Sequence, residues 1–180
     1  MTGFVNLDAN ILLYLQEFIR TPYLTHLFKE ITELGNGGIF WLALGACMLI
    51  FKKTRIPGVL LLTSVIAAGA FGNLVVKTVV DRARPFLTVP GLHNLVTAHG
   101  ASFPSGHTTS AFAGAGIIWQ TQPRLYGLAA VILAALIGFS RLYLGVHFPT
   151  DILGGMLLGL GVAWLVNWLY QRCRNKVPFL

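Results

Sequence analysis

The sequence predicts an all-α fold: an integral membrane helix bundle with five clear spans and an N-terminal amphipathic helical region, for which a tilted sixth span is the alternative. Composition is the first ground. Hydrophobic residues fill 55% of the 180 positions and charged residues only 11%, with a mean hydropathy of +0.70. Soluble chains carry about 25% charged residues, which they need to coat their surface. The soluble-globular class is thereby excluded, and so are disorder and nucleic-acid binding as the reason for the net charge of +7. The second ground is the recurrence of apolar runs near the length of a bilayer. The third is the placement of most charges between those runs.

A spanning helix needs about 20 mostly apolar residues. Runs over 37–51, 57–80, 126–145 and 152–170 meet or approach that length, and 108–120 does so only if the helix opens from Ser105 onward. The stretch 6–34 differs. It carries Asp8, Glu17, Arg20, Lys29, Glu30 and Glu33 and is interrupted by Pro22, which reads as amphipathic helices lying at the interface. The expected organisation is an N-terminal amphipathic region over 1–36, a catalytic helix bundle over 37–170 and a basic cytoplasmic tail over 171–180. The first basic residue is Arg20, so no basic leader and no cleaved signal peptide are expected. Gly155 and Gly159 form a G-x-x-x-G in the last run. That spacing favours close helix packing, within the chain rather than across a dimer; the oligomeric state stays open.

Loop charges orient the bundle. Alternate connections put Lys52, Lys53, Arg55, Arg124, Arg172, Arg174 and Lys176 on one side, and Lys77, Arg82, Arg84 and Arg141 on the other. The first side is the cytoplasmic one, which places the C-terminus on the cytoplasmic side of the cell membrane and the connections 81–104 and 141–150 on the extracytoplasmic face. Positives on that outer face run against the rule, so a function should explain them.

The acids are Asp8, Glu17, Glu30, Glu33, Asp81 and Asp151, and they do not cluster. Calcium loops, two-metal sites and carboxylate-pair hydrolysis all need clustered carboxylates. Cys47 and Cys173 have no ligand or disulfide spacing. No metal and no cofactor is expected.

Four polar groups sit where outward connections meet helix ends: Lys77 to Pro85, Pro104-Ser105-Gly106-His107, Ser140-Arg141, and His147 to Asp151. Each has a bland account. Lys77 alone reads as a snorkelling anchor or an i,i+4 partner of Asp81. Ser105 reads as an N-cap, and Asp151 as a first-turn acid with His147 in a loop. The bland accounts do not predict Arg141 reaching the same face from a distant helix. Lys77, Arg84 and Arg141 together resemble a trap for a multivalent anion, since guanidinium groups grip phosphate through forked hydrogen bonds. The helix start at Ser105 and Gly106 adds free N–H groups and a partial positive charge. Asp151, four residues beyond His147, can hold one imidazole nitrogen and leave the other as a nucleophile. His107 is a second proton carrier on that face, whereas His26, His93 and His99 lack comparable neighbours.

The ordered trio Lys-x6-Arg-Pro at 77–85, Pro-Ser-Gly-His at 104–107 and Ser-Arg-x5-His-x3-Asp at 140–151 resembles the signatures of the phosphatidic acid phosphatase type 2 superfamily. The resemblance covers roughly residues 37–170 and is weaker before them. It implies that His147 attacks phosphorus and forms a phosphohistidine, that Asp151 orients His147, and that His107 protonates the leaving group and then activates water. It further implies that Lys77, Arg84, Ser105, the Gly106 N–H and Arg141 hold the phosphate oxygens, without a metal. The expected function is a membrane lipid phosphatase acting on undecaprenyl pyrophosphate, phosphatidylglycerol phosphate or phosphatidic acid. The rivals are a non-catalytic lipid-phosphate binder or transporter on the same fold, and a vanadate-dependent haloperoxidase, which the apolar composition opposes.

Overall fold

A computed structural model describes residues 2–176, with side chains described from Leu7 to Asn175. The described residues form helices joined by irregular links, the longest over 89–105, and contain no strand. In order they form α1 (Thr2–Tyr14), α2 (Pro22–Glu33), α3 (Ile39–Ile50), α4 (Arg55–Phe71), α5 (Lys77–Val80), α6 (Pro85–Thr88), α7 (Gly106–Thr121), α8 (Arg124–Tyr143) and α9 (Pro149–Lys176). A π-helical turn over Gly72–Val76 joins α4 to α5.

Helix α7 is the axis of the bundle, and its sequence explains why. Residues from Thr108 to Ile118 are all buried, and most are Ala, Gly, Ser or Thr. Helices in lipid gain nothing by hiding leucine from tails that are equally apolar, so close backbone approach through small residues drives their packing. Trp41 of α3 lies flat against Gly114, and Ala163 of α9 against Gly116. The Gly155 and Gly159 pair serves the same end. A Cβ at Gly159 would stand 2.5 Å from the Thr109 carbonyl oxygen, and one at Gly155 2.8 Å from that of Ser105. The G-x-x-x-G therefore seats α9 on α7 within the chain. The large apolar side chains point outward instead: Val59, Ile66, Leu125, Leu157 and Trp164 are all exposed, as a bilayer-facing surface requires.

Among the described residues three helical stretches are long and apolar enough to cross a membrane, Arg55–Thr88, Arg124–Tyr143 and Pro149–Asn175; the pair Pro22–Glu33 and Asn36–Ile50, bent by 41°, makes a fourth only if taken as one broken span. The chain is a multi-pass membrane protein. Of the five expected runs, 57–80, 126–145 and 152–170 lie in such stretches, whereas 37–51 and 108–120 do not reach that length as single helices. The first continues across a bend into α2. The second is ringed by α4, α8 and α9, and a helix shielded by protein need not match the bilayer in apolar length. Residues 171–176 of the expected tail prolong α9, and 177–180 lie outside the described residues.

The N-terminal region is tied into the bundle by buried polar contacts. Asp8 of α1 is buried and accepts from Arg82 at 2.9 Å and from the Thr150 hydroxyl at 2.5 Å. Arg20 donates to the carbonyls of Tyr143 (3.0 Å) and His93 (2.7 Å). Thr32 of α2 receives Arg141 at 2.6 Å.

Candidate active site

The four polar groups meet at one end of the bundle. A cavity of about 730 Å³ is lined there by Lys77, Arg84, Gly106, His107, Arg141 and His147, with Asn36 and His99 also on its wall. The convergence follows from helix ends. Lys77 opens α5, and Arg84 precedes α6, whose Pro85 has the fixed φ suited to a first helical position. Gly106 and His107 open α7, Arg141 closes α8, and His147 lies in the short link before α9.

The cations arrive without counter-ions. Among the described residues, no carboxylate lies within 4.0 Å of Lys77, Arg84 or Arg141, and the i,i+4 pair of Lys77 with Asp81 does not form. A Cβ at Gly106 would stand 3.8 Å from Lys77 Nζ, so this ammonium closes over the start of α7. The first N–H groups of that helix have no intrahelical acceptor. Arg141 gives one Nη to Thr32, while its buried Nε has no partner. Arg84 donates to the carbonyls of Gly100 (3.0 Å), Val146 (2.9 Å) and His99 (2.8 Å), which fixes its guanidinium against the cavity.

Arg84 also sets the state of His147, its Nη1 lying 3.3 Å from Nε2. A guanidinium can only donate, so Nε2 is the acceptor and Nδ1 carries the hydrogen. Nδ1 faces Asp151 Oδ2 at 3.5 Å, longer than a good hydrogen bond, and has no other partner. Catalytic contacts often tighten only with substrate bound. Burial pulls the imidazole down to about 4; the Asp151 carboxylate pushes the other way, and Arg84 and Arg141 add to the lowering. The His147 imidazole is therefore neutral at neutral pH with its lone pair on Nε2.

Asp151 lies behind the cavity wall. It is fully buried, in the first turn of α9. Its Oδ2 accepts from the Ser102 hydroxyl (2.5 Å) and the Phe148 N–H (2.8 Å), and its Oδ1 from Arg82 Nη1 (2.7 Å). Reaching back to the N–H before the helix is half of a capping box, so one carboxylate both caps α9 and faces His147 Nδ1. His147 and Asp151 do not stack as i,i+4 neighbours on a helix, because Pro149 starts α9 between them.

Ser105 is placed differently from its neighbours. It is fully buried and off the cavity wall, and its Oγ accepts from the Thr108 hydroxyl at 3.0 Å and, at 3.5 Å, the Thr108 N–H. His107 Nε2 meets Asn36 Oδ1 at 2.8 Å. Sequence reasoning missed Arg82, Asp8, Ser102 and Asn36. Arg82 stood in the motif-bearing segment and was counted as one more outward positive, whereas its guanidinium spans Asp8 and Asp151 and stacks 3.9 Å above the Phe148 ring.

With this geometry in hand, the comparisons with known proteins are specific. The profile of the PAP2 superfamily matches residues 57–175. An undecaprenyl-diphosphatase of Sulfolobus acidocaldarius is 33% identical over 165 residues, covering 91% of this chain and 79% of its own length. Phosphatidylglycerophosphatase B of Bacillus subtilis is 34% identical over 170 residues, covering 87% of this chain and 80% of its own. The crystal structure of the transmembrane PAP2 type phosphatidylglycerolphosphate phosphatase from Bacillus subtilis superposes with a TM-score of 0.80 at 31% identity, over 96% of this chain and 88% of that one.

Proposed function

The chain belongs to the PAP2 superfamily of membrane phosphatases, and on that premise we propose that it removes phosphate from a lipid phosphate monoester or pyrophosphate through a phosphohistidine at His147. The observation that carries this reading is three cations without counter-ions facing two histidines in one cavity. Lys77, Arg84, Arg141 and the N–H groups opening α7 hold the phosphoryl oxygens. His147 Nε2 attacks phosphorus in line, and the P–O bond to the leaving group breaks. His107 gives that oxygen its proton, then takes one from the water that attacks the phosphohistidine. Inorganic phosphate leaves, and Nε2 regains its lone pair. Asp151 holds Nδ1–H throughout. In a loose, charge-rich transition state, positioning and electrostatics dominate, and each well-placed donor is worth about 2.7–4 kcal/mol. Ser105 supports the first turn of α7 and thereby its N–H groups.

For topology, the reading is five spans with the cavity end extracytoplasmic and the C-terminus cytoplasmic, so that a headgroup in the outer leaflet reaches His147. Undecaprenyl pyrophosphate is the first candidate substrate, supported by the names of relatives; phosphatidylglycerol phosphate and phosphatidic acid follow. A binder or transporter would need the cations but not a carboxylate buried behind His147. The test is phosphate release by the purified protein in detergent across these lipids, with EDTA present. Release from at least one lipid, undiminished by EDTA, is expected. Lipid movement across vesicles without release would favour the binder, and a requirement for magnesium would end the metal-free mechanism.

A further inference from the structure

The hinge between α2 and α3 is shaped around His107. A Cβ at Gly35 would stand 2.7 Å from His107 Cδ2, so only glycine lets the backbone pass the ring edge. Gly37 and Gly38 have φ of 58° and 70°, a region that favours glycine, and they turn the chain directly into α3. Between Gly35 and Gly37 stands Asn36. Its Nδ2 donates to Glu33 Oε2 at 2.6 Å, which fixes the amide so that Oδ1 faces His107 Nε2 at 2.8 Å. An amide oxygen can only accept, so Nε2 keeps its hydrogen in either charge state of the ring.

Resting on the phosphatase reading above, we propose that Asn36 is the positioning residue of His107, that Glu33 acts through it, and that the proton exchanged with leaving group and water travels on His107 Nδ1. The Cδ2–Nε2 edge is taken up by the hinge, which leaves the Nδ1 edge for the cavity. The donated proton comes from Nδ1 of the imidazolium, leaving a neutral ring still bonded to Asn36. Water then returns a proton to Nδ1 as its oxygen bonds to phosphorus. The ring stands amid Arg141 on α8, Lys77 on α5, Arg84 before α6 and His147 in the link before α9, and the Glu33 carboxylate, one amide removed, is assigned the partial offset of its positive charge. The same hinge thereby closes the α2–α3 bend and sets the acid. It explains why an apolar chain spends E-L-G-N-G-G at this place.

The experiment compares wild type, Asn36→Ala, Asn36→Asp and Glu33→Gln, purified in detergent and checked for monodispersity and thermal unfolding. Phosphate release from a short-chain phosphatidic acid and from a prenyl pyrophosphate is followed across pH. Asn36→Ala should lower kcat by about 10–100-fold, the scale of losing a partner that orients a reacting imidazole, with little change in KM. Asn36→Asp puts a carboxylate against Nε2 and should move the alkaline limb of kcat up by about one pH unit or more. Glu33→Gln keeps the shape but drops the charge, and should move that limb down. Should Asn36→Ala fail to fold, the other two variants decide the matter. Limbs that stay in place in both, or wild-type kcat in a folded Asn36→Ala, overturn the proposal while the phosphatase reading stands. A wild type that releases no phosphate from any lipid overturns both.

Discussion

Replacing Arg82 with Met separates a positioning cation from a substrate-binding one. Met keeps an unbranched apolar stem of similar length but removes the guanidinium that lies between Asp8 and Asp151, at 2.9 and 2.7 Å, and stacks on the Phe148 ring. The side chains of those acids are 6% and 0% exposed, and that of Arg82 is 26% exposed. Removing one partner of a buried pair costs about 3–5 kcal/mol. Partial exposure of Arg82 lets water screen some of this, so about 3 kcal/mol is the better figure. For a chain of this length that is a fall in Tm of roughly 6–12 °C. Arg82 is not on the cavity wall, so its effect on turnover passes through the orientation of Asp151 and His147. Loss of such support costs roughly 10–100-fold in kcat, whereas KM should stay within about threefold. Thermal unfolding and phosphate release in detergent measure both. Asp8→Asn should destabilise on its own, yet add little on top of Arg82→Met, because contacting residues are not additive. A variant whose KM rises tenfold with kcat intact would show that the guanidinium grips substrate, and the reasoning would be wrong. An unchanged Tm would refute the buried-pair argument directly.

Three other expectations can be checked alongside. His147→Ala should fold yet release no phosphate, and acid-labile, alkali-stable label from a phosphoryl-labelled lipid should appear on wild type and vanish in the variant; near-normal turnover would remove the covalent step. Because His147 is pulled to about 4 against about 6.5 in the unfolded chain, the unfolded state takes up the proton first as pH falls. Its contribution to stability is thus complete above pH 6.5 and eroded between about 6.5 and 4, so Tm should drop over that window, and drop less in His147→Gln. Gly159→Ala should destabilise by about 1–3 kcal/mol, since its Cβ would meet the Thr109 carbonyl oxygen at 2.5 Å and the Ala113 nitrogen at 2.8 Å. Gly161→Ala, with nothing within 4 Å, should be neutral or stabilising by up to about 1 kcal/mol.

What can be read from the sequence is what rests on local chemistry. Apolar runs with few charges report a bilayer because each residue's transfer energy is its own. The N-cap at Ser105 sits in consecutive residues with the helix it opens, so the start of α7 is legible, whereas the short α6 falls inside the segment 81–104 that reads as an irregular connection. That Lys77, Arg84, His107, Arg141 and His147 belong together, with Asp151 beside His147, is legible as an expectation too, because cations and histidines at the ends of apolar helices are too costly in lipid to be idle, and the structure brings the first five to one cavity. Tertiary structure decided their partners. Whether Arg82 grips phosphate or clamps Asp151 depends on Asp8, 74 residues away, and the hydrogen on His107 depends on Asn36, 71 residues away. Hydrogen bonds act over about 3 Å, and no period or spacing along the chain encodes which helix ends come that close. Helix length is divided in the same way: α7 looked short because its surroundings are protein, and only the packed bundle reveals what surrounds a helix.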